Sequence, residues 1–128
     1  MFDLTVSYDV ALNIIRTTTF GRLDFAAIRQ MVVAGLKAGA EHGTERHLID
    51  HRNVDLAVGI LQISDVPSEN QKLGVKASVR VAIICRDERS VLEKFQYLED
   101  LYFIEGIKRQ VFTDEQTALD WLTRNTPD

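Results

Sequence analysis

Segments with strand-like and helix-like patterns alternate along this chain, and that order restricts it to an α/β fold. Residues 2–8 alternate apolar and polar side chains without a fault, which is typical of a strand with one buried and one solvated face. Residues 12–20 form a second strand rich in β-branched side chains, and the short connection between the two predicts an antiparallel hairpin. Three further strands are predicted at residues 46–51, 78–85 and 107–112.

Helices are predicted between and after these strands. Residues 25–40 place apolar side chains at three- and four-residue spacing, and Asp24 is a suitable N-cap. Residues 89–104 show the same spacing. A final helix is predicted with Thr113 as its N-cap, because Gln116 three residues later completes a capping box.

The polarity of the outer strands distinguishes a sheet covered on both faces from one covered on a single face. Strands buried on both faces are continuous apolar runs, whereas one-sided sheets alternate. Residues 2–8 alternate cleanly, and residues 107–112 carry three polar side chains in six. We therefore expect one α/β domain over residues 1–128, with a five-stranded, mostly parallel sheet, an antiparallel first strand, and helices on one face.

Composition and charge exclude several functional classes. The net charge is −4 and the basic residues are scattered among acids, whereas proteins that bind nucleic acid cluster Lys and Arg. No apolar run approaches the roughly 20 residues of a membrane-spanning helix, and the first residues lack the pattern of a secretory signal. Cys85 is the only cysteine, so no intrachain disulfide can form and a cytoplasmic location is expected.

No catalytic or metal-binding constellation is evident in the sequence. His47 and His51 are four residues apart on a predicted strand, which separates them by about 13 Å, whereas a metal–nitrogen bond is about 2 Å long. Cys85 beside Arg86 could be an activated thiolate, and the alternative is a small buried apolar side chain. Glycine-rich phosphate loops and nucleophile elbows are lacking. We expect a non-enzymatic protein without cofactor or metal.

A candidate ligand site lies at the carboxyl end of the third predicted strand. Ligands of open α/β sheets bind beyond the carboxyl ends of the parallel strands. Asp50, His51 and Arg52 fall at such an end, and Arg86 follows the next strand along the chain. These residues could form the polar rim of a ligand or partner site, and the alternative is a solvated loop.

Residues 54–67 are predicted to be a mobile cover for this site. Leu56, Ile60 and Ile63 could form the apolar side of a helix, but a glycine and a proline prevent a long one. The three side chains would then face an apolar ligand, with Arg52 at the mouth to meet a carboxylate or phosphate. The alternative is that they complete the core and that no cavity exists.

Three segments resemble the STAS fold, and more closely its SpoIIAA-like branch of small stand-alone proteins. The most specific segment is VFTDEQTALDWL at residues 111–122, which is similar to the C-terminal strand and helix of that branch. LID at residues 48–50 and RVAII at residues 80–84 are also similar. The resemblance covers most of the chain and implies a binding or regulatory module for a small apolar ligand, a membrane surface or a protein partner. An uncovered face of the sheet, or an exposed edge at residues 2–8, further predicts a homodimer.

The resemblance also raises an alternative function, a phosphoswitch regulator of the anti-sigma-factor-antagonist type. Such proteins carry a phosphorylatable Ser or Thr where the third strand meets the second helix. The matching segment here is DHRNVD at residues 50–55, and no hydroxyl residue occurs between Thr44 and Ser64. Because a kinase needs that oxygen as the nucleophile, this alternative is disfavoured.

Overall fold

The computed structural model describes residues 1–57, 65, 72–76, 78–104 and 108–124, with the backbone alone at residues 101–104. Strands and helices alternate along these residues as the sequence patterns predicted. In chain order the elements are β1 (Phe2–Asp9), β2 (Ile14–Leu23), α1 (Phe25–His42), β3 (Arg46–Leu56), β4 (Arg80–Ile84), α2 (Arg89–Ile104), β5 (Lys108–Phe112) and α3 (Glu115–Thr123).

The five strands form one sheet in the order β1-β2-β3-β4-β5. β1 and β2 pair antiparallel as a hairpin, and every later neighbour pairs parallel. This confirms the prediction of a five-stranded, mostly parallel sheet with an antiparallel first strand. Since each parallel strand is added beside the previous one, the carboxyl ends of β2, β3, β4 and β5 meet at one edge of the sheet.

Helices cover both faces of the sheet at its centre. Ile83 of β4 packs beneath α1 and α2, on what we call the α1 face, and the next residue, Ile84, packs against α3 on the opposite α3 face. The prediction of helices on one face is confirmed for the two long helices, and the nine-residue α3 departs from it. The reason is that β4 is apolar on both faces, so both faces need a cover.

The helix ends follow local side-chain chemistry. The Asp24 carboxylate accepts a hydrogen bond from the Ala27 N–H at 2.9 Å, which is the predicted N-cap of α1. The N-cap of α3 is Asp114, whose carboxylate accepts from the Thr117 N–H at 2.9 Å. The prediction that Thr113 caps this helix is therefore wrong by one residue.

β3 contains a β-bulge and continues beyond its predicted end. Thr18 pairs with Asp50 but Phe20 pairs with Asn53, so β3 carries one extra residue opposite Thr19. The strand then continues to Leu56, which the sequence analysis placed in a mobile cover. The expectation of a cover is thus wrong for residues 54–56, because these residues pair with β2.

The remainder of the predicted cover cannot be compared with the structure, because residues 58–64 and 66–71 lie outside the described residues. Ile60 and Ile63 belong to this group. Among the helices of the described part of the chain, none combines the length and the apolar character needed to cross a membrane.

Candidate functional site

A cavity of about 70 Å³ lies between α1, α2 and the α1 face of the sheet. Its lining is mainly apolar. Both helices and the central strands contribute to it, with Ile28, Met31 and Val32 from α1, Phe95 and Leu98 from α2, and Ile49 from β3. Concave sites with an apolar wall and few polar groups are the usual form of small-molecule sites.

Four polar side chains of the described residues also line the cavity, namely Thr17, His47, His51 and Arg109. They belong to β2, β3 and β5, and all four side chains lie on the α1 face of the sheet, which forms the cavity wall. His47 and His51 are buried, with exposures of 6% and 2%. Four strand residues place them about 13 Å apart, and the described residues contain no group of three His, Cys, Asp or Glu that could hold a metal.

Neighbours on two sides hold His51 in place. The hydroxyl oxygen of Thr19 lies 2.7 Å from Nδ1 of His51, and the ring of Phe95 stacks on the imidazole at a centroid distance of 5.5 Å. Burial lowers the pKa of His51 to about 3, and the positive charge of Arg109 acts in the same direction. His51 is therefore neutral at physiological pH.

His47 lies at the other end of the cavity, against α1. Its ring lies against the helix at Gly35 and Gly39, where a Cβ atom would stand 3.7 and 3.4 Å from the imidazole. Burial lowers the pKa of His47 as well, although the carboxylate of Glu45 opposes that change. Both imidazoles are thus uncharged members of an apolar wall.

Asp50 and Arg52 lie on the other side of the sheet. Two nitrogens of the Arg52 guanidinium donate to the Asp50 carboxylate at 3.0 and 2.8 Å. The hydrogen bonds that Arg52 donates to Asp50 raise the pKa of Arg52, and the carboxylate of Glu115 at the start of α3 adds to this. This ion pair belongs to the α3 face, so Arg52 does not stand at the mouth of the cavity.

Arg86 connects the carboxyl ends of β4 and β3. Its Nη1 donates to the carbonyl oxygens of Arg52 and Val54 at 3.2 and 3.0 Å. Its Nη2 lies 3.5 Å from a carboxylate oxygen of Asp55. These contacts hold the extended end of β3 beside β4, which gives Arg86 a structural task outside the cavity.

Of the seven residues predicted for a ligand site, His51 is the one that lines this cavity among those the structure describes. Leu56 packs at the edge of the hydrophobic core on the α1 face. Asp50 and Arg52 lie in the middle of β3 on the α3 face, and Arg86 contacts the carboxyl end of β3 outside the cavity. Ile60 and Ile63 lie outside the described residues.

Sequence reasoning missed Arg109, which was counted only as evidence that the last strand has a solvated face. The alternation of side chains between the two faces of a strand could have identified it. Arg109 and Val111 project to the same face of β5, and Val111 packs against the core under α1 and α2. The same argument applies to Thr17 and Thr19, which alternate with the charged Arg16 on the opposite face.

Cys85 is fully buried at the end of β4. Burial raises the pKa of its thiol, and the nearby charge of Arg109 only partly offsets this. A thiol in that environment is not a nucleophile at neutral pH. The structure favours the interpretation of Cys85 as a small buried apolar side chain.

No sequence profile of a known protein family and no curated protein matches this chain. Solved structures do match it. An uncharacterized protein of the DUF3478 family with a SpoIIAA-like fold, from Shewanella loihica, is 23% identical with a TM-score of 0.59, over 94% of this chain and 93% of that chain.

Two further structures share the fold at lower sequence identity. An anti-sigma factor antagonist from Mycobacterium paratuberculosis is 11% identical with a TM-score of 0.63, over 95% of this chain and 94% of that chain. Unphosphorylated SpoIIAA, an anti-sigma factor antagonist, is 13% identical with a TM-score of 0.51, over 93% and 96% of the two chains. The chain therefore has a SpoIIAA-like fold, as its resemblance to that branch predicted.

Proposed function

We propose that this protein is a non-enzymatic binding module that holds a small apolar molecule in the cavity between α1, α2 and the sheet. The observation that carries the proposal is the composition of the wall, which is apolar except for Thr17, His47, His51 and Arg109. Such a wall takes up apolar surface through the hydrophobic effect, and the few polar groups orient the ligand.

The choice of a binding module over an enzyme follows from the protonation of these groups. His47 and His51 both have a lowered pKa, which makes them poor bases near pH 7. The thiol of Cys85 has a raised pKa and is fully buried. None of the described residues of the cavity therefore has the character of a nucleophile with its base.

A regulatory role through a protein partner is the second candidate. It is supported by the fold, since two proteins that share it are anti-sigma factor antagonists. The phosphoswitch form of that role is disfavoured, because residues 50–55 read DHRNVD and contain no hydroxyl group. A regulator of this kind would respond to a bound ligand in place of a phosphate.

Titration of a fluorescent fatty acid tests the proposal. Val32 of α1 lines the cavity, whereas its neighbour Val33 is 50% exposed on the outer side of the helix. We expect saturable binding to the native protein, an affinity at least ~10-fold weaker for Val32→Phe, which fills the cavity, and native affinity for the matched control Val33→Phe. Absence of saturable binding, or equal binding by all three, would overturn the proposal.

We also propose that the protein forms a homodimer through β1. This eight-residue strand is an edge of the sheet, and its backbone offers donors and acceptors along the side away from β2. Its outward side chains are small or charged, including Asp3, Thr5 and Ser7, which allows close approach of a second copy. Light scattering after size exclusion is expected to give twice the mass of 14.5 kDa, and a monomer at high concentration would contradict this.

A further inference from the structure

The hydroxyl of Thr19 determines which nitrogen of His51 carries the proton. Thr19 Oγ1 lies 2.9 Å from the carbonyl oxygen of Asp50, and a carbonyl oxygen can only accept. The single hydroxyl hydrogen of Thr19 is therefore used in that bond. The 2.7 Å contact between Thr19 Oγ1 and His51 Nδ1 then needs its hydrogen from the imidazole. We assign His51 as the Nδ1–H tautomer.

This assignment leaves Nε2 of His51 as a hydrogen-bond acceptor at the cavity wall. Thr19 occupies the Nδ1 side of the ring and Phe95 covers one ring face. Among the residues that the structure describes, none donates a hydrogen bond to Nε2. Because His51 lines the cavity, Nε2 can accept a hydrogen bond from a ligand that brings a donor.

The charged groups around His51 restrict the chemistry of that donor. Arg109 of β5 lines the same cavity, and its charge lowers the pKa of His51. The negative charge of Asp50, on the other face of β3, acts in the opposite direction and raises the pKa of His51. Glu99 of α2 and Cys85 of β4 both have a pKa raised by burial, and the charge of Arg109 acts on each of them. Arg109 and Nε2 of His51 therefore share a part of the cavity wall in which burial disfavours negatively charged groups.

We propose that the cavity selects an apolar carboxylic acid and binds it with its proton in place, the acid O–H donating to Nε2 of His51 and the acid carbonyl accepting from Arg109. The inference rests on the proposed function. It adds the substrate class, because a neutral carboxyl group presents one donor and one acceptor side by side. An ester offers no donor and an alcohol offers no carbonyl oxygen.

Binding in this form consumes a proton from the solvent. An alkyl carboxylic acid has a pKa close to that of a Glu side chain, about 4.3, so at neutral pH the free ligand is the carboxylate. As each carboxylate enters the cavity, one proton from the solvent is added to a carboxylate oxygen and forms the acid O–H, and no covalent bond to the protein forms. The affinity then rises as the pH falls, by at most roughly tenfold per pH unit.

Calorimetric titration of the native protein with octanoic acid, 1-octanol and methyl octanoate tests the inference. We expect the acid to bind at least ~10-fold more tightly than the methyl ester near pH 6. We also expect about one proton taken up per acid, measured from the heats in two buffers with different ionisation enthalpies, and weaker binding of the acid near pH 8. Equal affinities for acid and ester, or no proton uptake, would overturn the inference.

The variant His51→Phe isolates the acceptor, since it keeps an aromatic ring against Phe95 and removes Nε2. It is expected to lose the preference for the acid over the methyl ester and to lose the proton uptake. Retention of the native preference in this variant would contradict the assignment. If it fails to fold, the three-ligand comparison on the native protein still decides the matter. Should no octyl compound bind saturably, the proposed function itself fails.

Discussion

Gly39 in the last turn of α1 packs directly against the backbone of Thr44, in the connection between α1 and β3. A Cβ atom at Gly39 would stand 2.8 Å from the carbonyl oxygen of Thr44, which is closer than side chains approach backbone atoms. Gly35, one turn earlier, faces the same imidazole of His47, yet a Cβ atom there would meet Nδ1 at an ordinary 3.7 Å. The close packing of α1 against this connection therefore requires glycine at Gly39 but not at Gly35.

The two glycines are expected to respond in opposite directions to alanine. Gly35→Ala should raise the free energy of unfolding by about 1 kcal/mol, because alanine favours the helix and its methyl group fits. Gly39→Ala should lower it by about 1–2 kcal/mol, because the clash with a fixed carbonyl exceeds the same helical gain. Urea denaturation of both variants measures this, and a stabilised Gly39→Ala would show that α1 can move away from Thr44.

His51 is expected to make the native protein sensitive to mild acid. Its pKa is lowered from 6.5 to about 3 in the folded protein, so below pH 6.5 the unfolded chain binds a proton that the folded chain does not. Stability is then complete above pH 6.5 and falls as the pH decreases toward 3. Relative to His51→Phe, the native protein should lose about 2 kcal/mol between pH 6.5 and pH 5.

This comparison separates His51 from other titrating groups. His47 also has a lowered pKa, but it is present in both proteins, as are Asp9, Asp50 and Asp114, whose lowered pKa values act only below about pH 4. Chemical denaturation at a series of pH values gives the two curves. Parallel curves for native protein and His51→Phe would contradict the burial of a neutral imidazole.

Arg86, which contacts the end of β3, and Arg52, within β3, are expected to differ in their effect on stability. Arg86→Ala removes charged hydrogen bonds to the carbonyl oxygens of Arg52 and Val54, which should lower the free energy of unfolding by about 2 kcal/mol. Arg52→Ala breaks an ion pair whose arginine is 46% exposed, which should cost less than about 1 kcal/mol. Equal losses in thermal or urea unfolding would contradict this distinction.

Arg52→Ala also tests which face of the sheet binds a ligand. Because Arg52 pairs with Asp50 on the α3 face, the variant should bind a fluorescent fatty acid as the native protein does. Arg109→Met, in the cavity wall, should weaken binding by roughly tenfold or more. The reverse order of effects would place the site at the carboxyl end of β3, as the sequence alone suggested.

Cys85 is expected to resist thiol reagents in the folded protein. The residue is fully buried and burial raises the pKa of its thiol, so neither access nor thiolate formation favours the reaction. Modification by an aromatic disulfide reagent should occur at the rate of unfolding and become fast in denaturant. Rapid stoichiometric modification in buffer would show that the thiol is accessible.

Local patterns in the sequence determined most of the secondary structure and the order of the strands. The alternation in residues 2–8, the cap at Asp24 and the apolar spacing of α1 each depend on near neighbours along the chain, and each is found in the structure. The parallel arrangement followed because strands separated by helices must cross over in the same sense. The resemblance of residues 111–122 to the SpoIIAA-like branch added the fold.

Only the tertiary structure decided which residues share the cavity. The bulge opposite Thr19 inserts one residue into β3, and since side chains alternate with a period of two, it reverses the face of every later residue. Val54 and Leu56 thereby join the core on the α1 face, although Asp50, an even number of positions earlier, faces α3. A bulge is a relation between two strands, so one strand's sequence does not reveal it. The meeting of His51 with Arg109, 58 residues later, likewise depends on β4 lying between their strands.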